Sequence, residues 1–284
     1  MLVSRLRTEL VSLPNVEPEA EPILETVSLT RLYGGLTAVD RLSISVRAGE
    51  MFGILGPNGA GKTTIIKMLT TLLPPTSGGA LVAGYDVIHC ATQVRRLIGY
   101  VPQLVSADGS LTGRENLLIL AKLYHIPRKD REDRIQDALH FMGLVDVANK
   151  MVREYSGGMI RRLEIAQSML HRPRVLFLDE PTLGLDPVAR RALWEHIRHL
   201  RSEYGTTILL TTHYMEEADE LCDRLAIMHM GNVAAIGTPS ELKASVGKNA
   251  TLDDVFVYYS GYEVDSGGNY REVSRTRRVA RRLT

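Results

Sequence analysis

Met51-Phe52-Gly53-Ile54-Leu55 is a compact apolar run, and Gly56-Pro57-Asn58-Gly59-Ala60-Gly61-Lys62-Thr63 follows it directly. The second stretch matches the pattern G-x-x-x-x-G-K-[ST] at every fixed position. From Thr64 to Leu72 the apolar residues recur at helical spacing. The order is therefore strand, glycine-rich loop, helix, which is the setting a phosphate-binding loop requires. Its glycines let the backbone curl so that N–H groups point inward at an anion, and the helix N-terminus adds a favourable dipole. Lys62 is expected to reach the β and γ phosphates of a nucleotide, and Thr63 to offer an oxygen to Mg²⁺. Gly56, Pro57, Asn58, Gly59, Ala60, Gly61 and Thr64 complete the cradle.

Downstream, Val175-Leu176-Phe177-Leu178 is a second apolar strand, and it ends in Asp179-Glu180. In an open α/β sheet the carboxyl ends of the strands face the ligand crevice. Asp179 is expected to hold Mg²⁺ directly or through water. Glu180 is placed to orient and activate a water against the γ-phosphate.

Around these two strands the pattern is that of an α/β protein. Leu24 to Glu50 reads as short strands, including Leu42 to Val46. Leu81 to Tyr85, Ile98 to Pro102 and Thr206 to Thr211 also read as strands, and Leu225–Met230 and Val233–Ile236 flank a Gly231-Asn232 hairpin turn. Glu115–Tyr124 and Arg131–Leu139 are amphipathic helices in a stretch without strands, which marks a helical insertion. Pro187–Glu203 and Met215–Arg224 are further helices, and Thr238-Pro239-Ser240-Glu241 opens a short one as a capping box. Periodicity persists weakly to Tyr259, beyond which Gly261, Gly267 and Gly268 suggest a loose end. Residues 1–22, where Pro14, Pro18 and Pro22 alternate with Glu17, Glu19 and Glu21, read as a flexible leader.

Composition limits the function. The 284 residues are 44% hydrophobic and 24% charged, with a net charge of +1, as in a soluble globular protein and not in a polyanion binder. The apolar runs are strand-sized, so no membrane span is expected. Cys90 and Cys222 form no disulfide framework and fit a reducing compartment. The opening residues lack an apolar core, so no secretory signal is expected. Arg271 to Arg282 holds six arginines and one acid. That tail suits anionic lipid, nucleic acid, an acidic partner or plain solvation.

Tyr155-Ser156-Gly157-Gly158-Met159 precedes another helical run and lies 23 residues, counted from Ser156, before Asp179. With this segment the chain resembles the ATP-binding cassette (ABC) ATPases over residues 23–245. The resemblance implies a P-loop cassette with a RecA-like core, an antiparallel β subdomain and a helical subdomain inserted at about 104–165. Residues 246–284 are left as a C-terminal extension with a basic tail. It also implies that Ser156, Gly157 and Gly158 bind ATP across the interface of a head-to-tail dimer. Gln103 matches the glutamine linking metal and attacking water to the membrane partner, and is a further metal ligand. His213 matches the switch histidine that contacts the γ-phosphate, Asp186 the aspartate of the loop between subunits, and Tyr33 the aromatic that stacks on adenine.

The usual signature is Leu-Ser-Gly-Gly-Gln, so Tyr155 and Met159 depart from it. Met159 cannot supply the glutamine's hydrogen bonds. Ser156 to Leu163 and Thr212 to Ala218 resemble the branch of separate ATPase subunits in bacterial drug and nodulation-factor exporters. That branch implies ATP and Mg²⁺ as ligands and a catalytic set of Glu180, His213, Gln103 and Lys62. It further implies a second copy and a separate transmembrane permease as partners, no direct contact with nucleic acid, and a place on the cytoplasmic face of the cell membrane. An import ATPase, or a cassette ATPase acting on ribosomes or DNA, is the alternative.

Overall fold

A computed structural model describes residues 22–260, 262–264 and 270–272. The leader before Pro22 and most of the basic tail lie outside the described residues. Its backbone is a six-stranded sheet in the order β11-β10-β4-β9-β8-β7. These are β4 (Met51–Leu55), β7 (Ile98–Val101), β8 (Val175–Asp179), β9 (Thr207–Thr212), β10 (Arg224–His229) and β11 (Asn232–Gly237). The strands from β10 to β7 run parallel, and β11 closes one edge antiparallel. Every residue of β4, β8 and β9 is buried, as expected for strands covered on both faces.

Alternation along these strands sorts their side chains into two cores. Met51, Leu55, Leu176, Leu178, Ile208 and Leu210 point to one face. There they meet α3 (Gly113–Leu123), α4 (Arg128–Phe141), α5 (Gly157–Met169), α6 (Pro187–Tyr204) and α7 (Met215–Leu221). Phe52, Ile54, Val175, Phe177 and Leu209 point to the other. That face packs on α1 (Lys62–Leu69), α2 (Ala91–Leu97) and a second, antiparallel sheet. The second sheet comprises β1 (Leu24–Tyr33), β2 (Leu36–Leu42), β5 (Ser77–Val82) and β6 (Tyr85–Asp86), with β3 (Ser45–Val46) paired to β1. Helices α3, α4 and α5 all lie between β7 and β8 in the chain. Thr112 opens α3 with a full capping box to Glu115.

Several local expectations change. Leu42–Val46 is not one strand: the buried Thr26 hydroxyl donates to Leu42 O and accepts from Ile44 N, taking the place of the ladder there. Leu81–Tyr85 is two strands, because Ala83 and Gly84 turn at φ of 52° and 85°. α2 went unread; of its residues only Val94 is buried, so it has almost no apolar periodicity. α7 stops at Leu221, since Asp223 bonds Met51 through both its main chain and its side chain and leads into β10. Gly261, Gly267 and Gly268 of the expected loose end lie outside the described residues. α9 (Leu252–Ser260) follows α8 (Pro239–Val246), and a small hairpin pairs β12 (Tyr262–Val264) with β13 (Tyr270–Glu272). Leu252, Val255 and Phe256 of α9 are buried in the first core, so packing runs on past residue 245.

The two sheets meet at the phosphate loop. Gly61 has φ +102°, and a Cβ there would lie 2.3 Å from the carbonyl oxygen of Ala38 on β2. The next contact along is Asp40 N donating to Gly231 O at 2.8 Å. Gly61→Ala therefore meets both a left-handed backbone and a main-chain clash. It should destabilise the fold by about 3 kcal/mol, read as a lowered midpoint in urea unfolding.

Candidate nucleotide site

Residues 56–61 leave the C-terminal end of β4 and turn into α1. Gly59 and Gly61 both have positive φ, and a Cβ on Gly56 would sit 2.6 Å from Met228 O. The loop is thus held in a shape that few side chains permit. By helix geometry the N–H groups of Lys62, Thr63 and Thr64 have no acceptor within α1, and they face the mouth of the loop. Lys62 is buried; its ammonium donates to Gly56 O at 2.7 Å and Pro57 O at 3.1 Å, and pairs with Glu180 Oε1 at 3.0 Å.

Asp179 ends β8. Its Oδ1 accepts from Thr63 Oγ1 at 3.1 Å and from Thr211 Oγ1 at 2.7 Å. Its Oδ2 is buried without a hydrogen-bond partner. Burial pushes this carboxyl above the usual carboxylate range; the two threonine hydroxyls pull the other way, and the charge of Glu180 adds to the rise. Tyr100, on neighbouring β7, is pushed up to about 12 by burial and by the negative charge of Asp179. An orphaned carboxylate oxygen beside a threonine hydroxyl is an all-oxygen donor set, which fits a hard divalent cation such as Mg²⁺.

Glu180 has the left-handed φ of +48°. Its N–H donates to both the carbonyl and the hydroxyl of Thr211, each at 3.1 Å. Its carboxylate is shared, with Oε1 facing Lys62 and Oε2 lying 3.1 Å from His213 Nδ1. Burial alone would raise this carboxyl, but the His213 hydrogen bond and the Lys62 charge outweigh it and hold Glu180 below its ordinary value. Lys62, Thr63, Asp179, Glu180 and His213 thus form one cluster at the carboxyl ends of β4, β8 and β9.

The other expected residues are held by contacts of their own. Tyr33 is 45% exposed at the β1–β2 hairpin, with the Arg31 guanidinium 4.8 Å from its ring centre. Ser156 caps α5 by accepting from Met159 N, and a Cβ on Gly157 or Gly158 would touch Leu185 or Ala189. Asp186 is exposed and caps α6, accepting from Val188 N and Ala189 N at 2.9 Å. Gln103 follows β7 in a loop that the sequence did not reveal to be clamped. The guanidinium of Arg161 binds the carbonyls of Pro102 and Gln103, and its partner Glu164 accepts from Ser106 Oγ at 2.9 Å. Arg161 and Glu164 lie on α5, so the Gln103 loop is fastened to the helix that Ser156 caps.

The signature's two departures have packing explanations. Tyr155 is buried, its hydroxyl donates to Val147 O at 2.7 Å, and Gly113 leaves room for it. Met159 packs its side chain against the core while its N–H serves the Ser156 cap. Thr211 was also missed as a site residue; its register opposite Asp179 in the β8–β9 ladder is the signal that identifies it.

The model for the ABC transporter family matches residues 39–183, spanning the phosphate loop, Ser156 and Asp179–Glu180. The daunorubicin/doxorubicin resistance ATP-binding protein of Streptomyces peucetius is 47% identical over 226 residues, covering 80% of this chain and 68% of its own. The Nod factor export ATP-binding protein I of Sinorhizobium fredii is 40% identical over 256 residues, covering 90% and 71%. A dimeric, post-hydrolysis ATP-binding cassette bound to ADP and Pi superposes with a TM-score of 0.68 at 25% identity, over 76% of this chain and 98% of that one. With its sheet order, phosphate loop and paired carboxylates already accounted for, the chain belongs to the ABC transporter family as one of its ATPase subunits.

Proposed function

We propose that this subunit powers export through a separate transmembrane permease at the cytoplasmic face of the cell membrane, two copies closing head to tail on two ATP molecules. One observation carries the hydrolytic part: the Glu180 carboxylate, ionised and gripped by His213, at the mouth of the phosphate loop. Export is favoured over import, and over action on ribosomes or DNA, by the names of the two relatives. The described residues include no helix long and apolar enough to cross a membrane, and the proposal assigns that crossing to the permease. The helical insertion, beside the clamped Gln103 loop, is the surface assigned to it.

In this reading Tyr33 stacks on adenine, and the loop N–H groups and Lys62 take the phosphates. Lys62 exchanges Glu180 for phosphate oxygens, leaving Glu180 with His213 as its fixed neighbour. Glu180 then orients a water and accepts its proton as the water oxygen bonds to the γ-phosphorus and the bond from that phosphorus to the β–γ bridging oxygen breaks, releasing ADP and inorganic phosphate. Thr63 and Asp179, with Gln103 as the additional expected ligand, would hold Mg²⁺, which when bound would supply charge neutralisation to the phosphates. Ser156, Gly157 and Asp186 are exposed and Gly158 is half-exposed, which suits contact with a partner's nucleotide. Closure then supplies contacts that exist only with ATP in place, and hydrolysis removes them.

Glu180→Gln keeps the side chain's shape and loses the proton acceptor. Phosphate release should fall by about a hundredfold or more, while light scattering shows an ATP-dependent dimer that persists. Equal turnover in mutant and wild type would overturn the role of Glu180. Asp179→Asn behaves differently. The native pKa of Asp179 is raised, so its ionised form opposes folding above the unfolded-state pKa. An amide keeps an acceptor for the two threonines and removes the buried charge. Asp179→Asn should therefore melt above wild type in metal-free buffer and lose Mg²⁺-dependent hydrolysis. A lower melting temperature there would contradict the assigned strain.

A further inference from the structure

His213 is held on two sides. One side is its hydrogen bond to Glu180. On the other, its ring centre lies 4.1 Å from that of Tyr214, tilted by 38°. Tyr214 in turn carries the Arg190 guanidinium, 4.1 Å from its ring centre. Arg190 lies one turn into α6, its N–H donates to Asp186 O at 2.9 Å, and Asp186 is the cap of that helix. Its Nε is buried with no hydrogen-bond partner, so the aromatic face is what receives this part of the guanidinium. Such a desolvated cation–π contact is directional and worth more than an exposed one.

The same helix is anchored a turn later. Trp194 Nε1 donates to Glu217 Oε1 at 3.0 Å, and Glu217, on α7, is fully buried. Burial pushes its carboxyl up, and the positive charge of Arg190 is among the influences that draw it down. Arg190 therefore meets the His213 segment through the Tyr214 ring. Tyr214 N donates to Thr212 Oγ1 at 2.9 Å, fixing the turn that carries His213.

We propose that Arg190 and Tyr214 are positioning residues that set the His213 imidazole against Glu180 according to where the Asp186 loop lies. A shift of the α6 N-terminus, such as a partner copy pressing on Asp186 produces, is passed through the guanidinium–ring stack to His213. Small displacements suffice, because misplacing a catalytic neighbour by about 1 Å can lower a rate by as much as a hundredfold. The inference rests on the reading of Glu180 and His213 as the hydrolytic pair.

The test uses the full chain in two measurements. In the first, histidine-labelled protein is followed by NMR, with the His213 imidazole identified by its loss in His213→Gln and His89 as an exposed control. Arg190→Met and Tyr214→Ala should each move the His213 signals and leave those of His89 in place. Arg190→Met should move nothing further once Tyr214 is Ala. Unmoved His213 signals in Arg190→Met would overturn the proposal whether or not the protein hydrolyses ATP. In the second, single-turnover hydrolysis should fall by about tenfold in each variant, within the range expected of misplacement, with ADP affinity unchanged. Tyr214→Phe, which keeps the ring, should restore the rate. A Tyr214→Phe as slow as Tyr214→Ala, or rate losses that multiply in the double variant, would also overturn it. Wild type no faster than Glu180→Gln would instead count against the hydrolytic reading, leaving the NMR result to judge the positioning pair.

Discussion

Two adjacent carboxylates, Asp179 and Glu180, lie almost out of contact with water, and much of the molecule is arranged around that cost. Charges taken out of water must be met by partners of fixed geometry. Here they are met unequally. Glu180 has a cation and an imidazole, while Asp179 has two hydroxyls and one empty oxygen. One stays a ready anion and the other is held under strain. The carboxylates end β8 and their partners come from the ends of β4 and β9, so the parallel sheet must place β4, β9 and β8 side by side before the site exists.

That requirement gives the double-sided sheet its meaning. Side chains alternate into two cores, and each core fastens part of the proposed nucleotide site. The antiparallel sheet brings Ala38 against Gly61 and carries Tyr33 on its hairpin. The helical face holds the Gln103 loop through Arg161 and Glu164, and Ser156 through the cap of α5.

Contiguous features were legible in the sequence. Gly56 to Thr63 declares itself because its work is done by backbone and by neighbouring residues. The β8 run does so because burial on both faces leaves an unbroken apolar string. Pairings across long separations were not legible: nothing local in Lys62 announces Glu180, and nothing in Arg190 announces Tyr214. Short elements failed for a different reason. α2 buries only Val94 and so has no face to read, and Thr26 interrupts β2 and β3 from another strand altogether. The family resemblance supplied roles for Gln103, Asp186 and His213 that periodicity could not, but it gave no hint that Tyr155 replaces a leucine by finding its own hydrogen bond.

The burial of α9 has a practical bearing on how the gene is cut. A fragment ending at residue 245 has the full set of motif residues and looks complete to any motif search. It nevertheless lacks Leu252, Val255 and Phe256, which fill the first core. Each such side chain contributes about 1.5–3 kcal/mol of burial, so their joint loss rivals the roughly 5–15 kcal/mol by which a whole domain is stable. Such a fragment would carry an open apolar slot beside α7, α8 and β10 and would be prone to precipitate. An expression vector for this ATPase should therefore extend at least through Ser260.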